Sequence, residues 1–101
     1  MAYRLTEEAR RDIVEIRDYT VANWGIPQSK SYLLGLRQLF SRLAESPEIG
    51  QCRAAELGSN ISSFPYSSHM VYYLKKPDAV EILAVLHQSR VPSRHLSNRL
   101  L

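Results

Sequence analysis

The sequence predicts an α+β fold: a short strand, a helical hairpin, and an antiparallel sheet of three or four strands packed against the hairpin on one face. Three observations carry this. Apolar residues recur at helical spacing twice in the first half of the chain, and only a short link separates the two stripes. The helical period is lost after Gly50. Beyond it come runs of β-branched and aromatic residues divided by turn signals. A length of 101 residues fits a single domain, because one core serves chains up to roughly 250 residues.

Tyr3 to Leu5 reads as an edge strand. Thr6 offers an N-cap hydroxyl, and Glu7 and Glu8 suit the positive end of a helix dipole. Ala9, Ile13, Ile16, Thr20 and Trp24 then draw one stripe along a first helix, with Arg10, Arg11, Arg17 and Asp18 on the opposite face. Trp24 is therefore expected in the core, where Trp24→Ala would cost about 3–5 kcal/mol. Gly25 stops the helix, and Pro27 sits in the first turn of the next, where its missing N–H is harmless. Leu33, Leu36, Phe40 and Leu43 form the second stripe. Gly35 within it is expected to let the first helix approach closely. Ser46-Pro47 ends the helix, since a residue before proline avoids the helical region.

Gln51 to Leu57 reads as a strand, Gly58-Ser59-Asn60 as a turn, and Ile61 to Tyr66 as a second extended piece with Pro65 at an edge or bulge. His69 to Leu74 is a strand rich in aromatic and β-branched residues. Lys76-Pro77-Asp78 turns into Val80 to His87, apolar on both faces as in a central strand. The remainder, about residues 88–101, is a basic tail with Leu96, Leu100 and Leu101, read as one loose helical turn or a docked segment. The second sheet face is expected to be only partly covered.

The formal charge is +3, and its placement is uneven. Residues 1–50 hold seven basic and seven acidic side chains, whereas residues 51–101 hold six basic and three acidic, with no acid after Glu81. An acidic partner or a phosphate backbone could exploit that excess. The amino terminus carries no apolar run of signal-peptide type, and no stretch approaches the roughly 20 apolar residues of a membrane span. Cytoplasm is the expected compartment. The single cysteine, Cys52, excludes an intrachain disulfide and a multi-cysteine metal site, and it reads as a small buried hydrophobe.

No glycine-rich phosphate loop, His-x-x-x-His pair or nucleophile elbow is present, so no cofactor is implied. His69, His87 and His95 stand at unrelated spacings, and no metal site is expected from them. One constellation has chemical content. In an antiparallel sheet, Arg53, His69, His87 and Arg90 could meet at an open face or edge. Histidine with arginines can cleave RNA, supplying a proton carrier near neutral pH and cations for the charge that develops on phosphate. The competing reading leaves both arginines solvated and His87 merely ending its strand, with Glu81 too far along that strand to assist.

The order of motifs is more specific than any one of them. Tyr3-x-Leu5-Thr6-x-x-Ala9-x-x-Asp12-Ile13-x-x-Ile16-x-x-Tyr19-Thr20 followed by Trp24-Gly25 resembles the opening of ParE toxins in the RelE/ParE superfamily. The resemblance runs on through Leu43-Ala44-x-x-Pro47-x-x-Gly50, Phe64-Pro65-Tyr66-x-x-His69 and Val80-Glu81-Ile82-Leu83-x-Val85-Leu86-His87-x-x-Arg90. It implies a β-α-α-β-β-β fold and the toxin of a type II toxin–antitoxin module, neutralised by a ParD-like antitoxin whose disordered segment folds over it. ParE-like toxins act on DNA gyrase by binding, with no catalytic residue, and RelE-like relatives cut messenger RNA on the ribosome. For the gyrase reading the tail arginines Arg90, Arg94 and Arg99 are the expected target-binding residues. For the nuclease they would be His87, Arg90, Arg53 and His69. RelE-type nucleases typically carry an aromatic residue or a histidine near the carboxyl end; here the last tyrosine is Tyr73 and His95 alone is a thin substitute, which favours gyrase.

Overall fold

The computed structural model describes residues 2–58 and 60–99. Ser59 of the expected turn and Leu100 and Leu101 of the tail lie outside the described residues. The elements are β1 (Ala2–Leu5), α1 (Glu7–Trp24), α2 (Ile26–Glu45), a 3-10 turn (Pro47–Ile49), β2 (Gln51–Cys52), α3 (Ala54–Leu57), β3 (Ile61–Tyr66), β4 (His69–Lys75), β5 (Ala79–His87) and α4 (Pro92–Arg99). They form an α+β domain whose five-stranded sheet has the order β1-β5-β4-β3-β2. Only β1 runs parallel to its neighbour, because the α1–α2 hairpin lies between β1 and the rest of the sheet and returns the chain to the far edge.

Local signals account for the hairpin. Thr6 caps α1 by accepting the Ala9 N–H at 3.1 Å. Gly25, at φ 90°, closes α1 and opens α2 in a left-handed conformation that a side chain would resist. Near the bend the hairpin is fastened by Thr20, whose hydroxyl donates to Ser29 Oγ at 2.8 Å, both residues being buried. The hairpin presents Ala9, Ile16, Leu36, Phe40 and Leu43 to Val71, Tyr73, Val80, Ile82 and Val85 of the sheet.

The opposite sheet face is a second, smaller core. Ile61, Tyr72, Leu83, Ala84 and Leu86 pack there with Leu96 of α4. The tail is thus a docked helix of eight residues, more than one loose turn. β5 serves both cores by alternation, with one bulge that shifts its phase: Tyr72 pairs with Ala84 and Tyr73 with Ile82, leaving Leu83 unpaired. Leu83 and Ala84 consequently face the same side, and the alternation resumes with Val85 on the hairpin side.

Several expectations are corrected. Trp24 is 68% exposed: it is the last residue of α1, the chain reverses at Gly25 directly into α2, and the buried stripe of α1 stops at Thr20. Gly35 makes room for β3, not for α1: a Cβ there would collide with the Tyr66 hydroxyl, which donates to the Tyr32 carbonyl at 2.7 Å. Cys52 is exposed on the two-residue edge strand β2. The expected strand through Leu57 stops at Cys52, and Ala54–Leu57 turns helical, with Arg53 bonding Glu56 at 3.1 Å across that turn.

Candidate functional site

β1 covers β5 only from Ala79 to Ile82, so the second half of β5 has no strand on that side. Its backbone groups are met by side chains instead. Asp12 of α1 accepts the Val85 N–H at 3.0 Å, and the Leu83 carbonyl accepts from Arg99 Nη1 at 3.0 Å and from the Thr6 hydroxyl at 3.3 Å. Asp12 and Arg99 also bond each other with both prongs, at 2.8 and 3.0 Å, at side-chain exposures of 10% and 15%. The Asp12 hydrogen bond, with that carboxylate's charge, raises the Arg99 pKa. This pair ties α1, β5 and α4 together. A buried carboxylate on an apolar helix face was the signal available in the sequence. Its partner lies 87 residues on and could not be read.

Where that edge opens, a cleft of about 600 Å³ runs between α1, the end of β5 and α4. Glu15, Ile16 and Tyr19 line it from α1, His69 from β4, and His87, Ser89 and Arg90 from β5 and the turn after it, with His95 on α4. The three histidines therefore converge despite their spacing. Among the described residues no group of three or more His, Cys, Asp or Glu side chains is arranged to hold a metal ion.

His69 and His87 stand directly opposite each other on β4 and β5, ring centroids 5.5 Å apart and edge to face. Both rings are held through Nδ1. At His87 the Ser89 backbone N–H points at Nδ1 at 3.1 Å, and a backbone N–H can only donate, so the neutral ring carries its proton on Nε2. At His69 the Tyr32 hydroxyl lies 2.6 Å from Nδ1 and a distant 3.5 Å from its other acceptor, the Tyr66 carbonyl. The short contact occupies Nδ1 of His69, whichever partner carries the proton. No described residue bonds either Nε2. Burial, then the neighbouring His87, lowers the His69 pKa, while Asp12 opposes this. The Nε2 atoms of both rings are thus without a hydrogen-bond partner among the described residues.

The four residues of the nuclease constellation are not brought together. His69, His87 and Arg90 share the cleft, but Arg53 does not. Its guanidinium donates to Ser63 Oγ at 2.8 Å, and Ser63 lies on the α4 side of β3, in phase with Ile61. Of the tail arginines, Arg90 and Arg94 are exposed, whereas Arg99 is turned inward onto Asp12. The expectation that all three lack a compensating acid fails for Arg99.

A family model described as the ParE toxin of the type II toxin-antitoxin system, parDE, matches residues 3–92. Toxin ParE1 of Caulobacter vibrioides is 34% identical over 94 residues, which is 93% of this chain and 96% of that protein. Among solved structures, a chain of the chromosomal ParDE TA system from P. aeruginosa aligns with a TM-score of 0.74 over 86% of this chain and 95% of that one. At 17% identity this last likeness is one of fold. The matched stretch takes in the hairpin, every strand and the basic wall of the cleft, and on that evidence the chain belongs to the ParE toxin family of type II toxin–antitoxin systems.

Proposed function

We propose that this toxin arrests growth in the cytoplasm by binding DNA gyrase, without turning over a substrate, and that a cognate ParD-like antitoxin neutralises it. The family match over residues 3–92 carries the reading. The separation of Arg53 from His69, His87 and Arg90 supports a binding mode over cleavage, because charge on phosphate would be met by one arginine of the expected two. Arg90 and Arg94, exposed beside the cleft and on α4, are the target-binding cations of this reading. The antitoxin would cover apolar side chains left bare on the hairpin, Tyr19, Trp24, Ile26 and Leu34, which are 56–68% exposed. A segment that folds on binding suits such a surface.

The test is a supercoiling assay with purified gyrase, run beside in vitro translation with primer extension. Inhibited supercoiling with intact messenger RNA is the expected result. A second reading, a ribosome-dependent messenger RNA endoribonuclease, draws support from the meeting of His69, His87 and Arg90 in one cleft. It would replace the first if site-specific cuts appear and vanish in His87→Ala, since losing a general acid or base costs roughly 10²–10⁴-fold in rate.

A further inference from the structure

We propose that the cleft beside the open edge of β5 is the seat for one acidic side chain of the target protein, an Asp or Glu carboxylate of gyrase held by His87 and Arg90 and flanked by His69 and Tyr19. The proposal rests on gyrase being the target and adds to that reading the chemistry of the contact.

The β5 wall of the cleft keeps donors in reserve. The Ser89 backbone N–H occupies Nδ1 of His87, so the neutral ring offers Nε2–H, and that atom has no partner among the described residues. His69 stands opposite, ring centroids 5.5 Å apart, with its Nδ1 taken by Tyr32. Three residues beyond His87, Arg90 is tied back by its own N–H, which donates to the His87 carbonyl at 2.9 Å. The Arg90 side chain is exposed and has no ion-pair partner among the described residues. Both open groups call for an acceptor, and the charge on Arg90 favours a negative one.

The charge of the cleft selects one carboxylate over a chain of phosphates. Asp12 and Glu15 on α1 balance Arg90 and Arg99, and Arg99 is already bonded to Asp12 with both prongs. With the histidines neutral, the lining therefore carries no net formal charge and is positive only at the β5 wall. A nucleic-acid strand binds where cations follow its backbone, whereas here the acids of α1 would repel the phosphates on either side of the first. A lone carboxylate against Arg90 avoids that repulsion, and its two oxygens can take the guanidinium and the imidazole N–H together. The flanks suit a protein surface. Tyr19 is 65% exposed on the α1 wall, and Val91, next to Arg90 in the chain, is 49% exposed. Tyrosine and arginine are the residue types that carry much of the binding energy at protein interfaces.

Binding of DNA-free gyrase to the immobilised full chain, measured by biolayer interferometry beside a supercoiling assay, tests this. Arg90→Gln and His87→Ala should each weaken binding about tenfold, the usual loss for a hydrogen bond to a charged group. His87→Gln, whose amide can still donate, should recover most of that loss. Both side chains are exposed, so the urea midpoint of these variants should not move. Arg37→Gln, which removes an exposed cation on α2, should leave binding unchanged. Exchanging the surface acids of gyrase one at a time for their amides should then find one position whose loss is not additive with Arg90→Gln. Gyrase bound equally well by Arg90→Gln and His87→Ala overturns this site and leaves the gyrase reading standing. Equal loss with Arg37→Gln reduces the effect to general charge, and the absence of any coupled acid removes the carboxylate; either overturns the proposal. Binding that requires DNA, or that a single-stranded oligonucleotide displaces at micromolar concentration, overturns it in favour of phosphate. Gyrase neither bound nor inhibited by the parent chain removes the gyrase reading, and this site's proposed occupant with it.

Discussion

Asp12 joins three elements of this structure, α1, β5 and α4. It replaces a missing strand partner for Val85 and holds Arg99 by two bonds. Removing one member of a buried ion pair leaves the other uncompensated, so Asp12→Ala should lower the unfolding free energy by about 3–5 kcal/mol. The paired replacement Asp12→Leu with Arg99→Met should cost clearly less than either single change, as urea denaturation would show. A double variant no more stable than the singles would mean that the Val85 N–H, and not the charge pair, dominates. Trp24→Ala, by contrast, should shift stability by no more than about 0.5 kcal/mol, the usual range for an exposed residue. His69 adds a pH signature. Its folded-state pKa is lowered, so as pH falls through about 6.5 the unfolded chain takes up the proton first and stability drops. Above that range the contribution is constant. The denaturation midpoint between pH 8 and 5 should fall less steeply in His69→Asn than in the parent chain.

At the scale of elements, what could be read in the sequence was what local rules control. Thr6, Gly25, Pro27 and Ser46-Pro47 bound the two helices because capping and proline geometry act within a few residues. The double-sided apolar run of β5 was also legible, but the bulge at Leu83 that sets which residue faces which core depends on pairing with Tyr72 and Tyr73. Trp24 misled because helical periodicity gives a face and says nothing of how far along the helix that face stays covered. α4 was hidden for a different reason. Its polar, arginine-rich sequence contributes one described apolar anchor, Leu96, and its docking depends on Arg99 meeting an acid at the other end of the chain. A variant ending at Arg90 removes that anchor and bares Ile61, Tyr72, Leu83 and Leu86. It should bind a hydrophobic dye such as ANS and unfold at lower urea than the full chain, while keeping its hairpin helices. Unchanged dye binding would show that this sheet face closes by other means.

Across the whole molecule the ion pairs leave cations unpaired at both ends of β5, besides those on the hairpin helices. Arg4 is spent on Asp78, Arg53 on Glu56 and Arg99 on Asp12. Lys75 and Lys76 remain at the β4–β5 turn, and Arg90 and Arg94 at the opposite end of β5. Charges so placed on the rim attract an acidic partner over distance, and contribute little once apolar contacts have formed. In the toxin–antitoxin complex proposed above, raising salt from 50 to 500 mM should therefore slow association far more than it speeds dissociation, because the Debye length shrinks from above 10 Å toward a few ångströms. Arg94→Glu should reproduce the slowing at low salt and leave the dissociation rate within about twofold, since related interfaces keep affinity chiefly in the off-rate. Trp24→Ala should do the reverse, speeding dissociation through lost apolar contact with little effect on the encounter. Stopped-flow mixing of toxin and antitoxin measures both rates. If Arg94→Glu acts mainly on dissociation, that arginine lies inside the interface, and the antitoxin reaches past the hairpin onto α4.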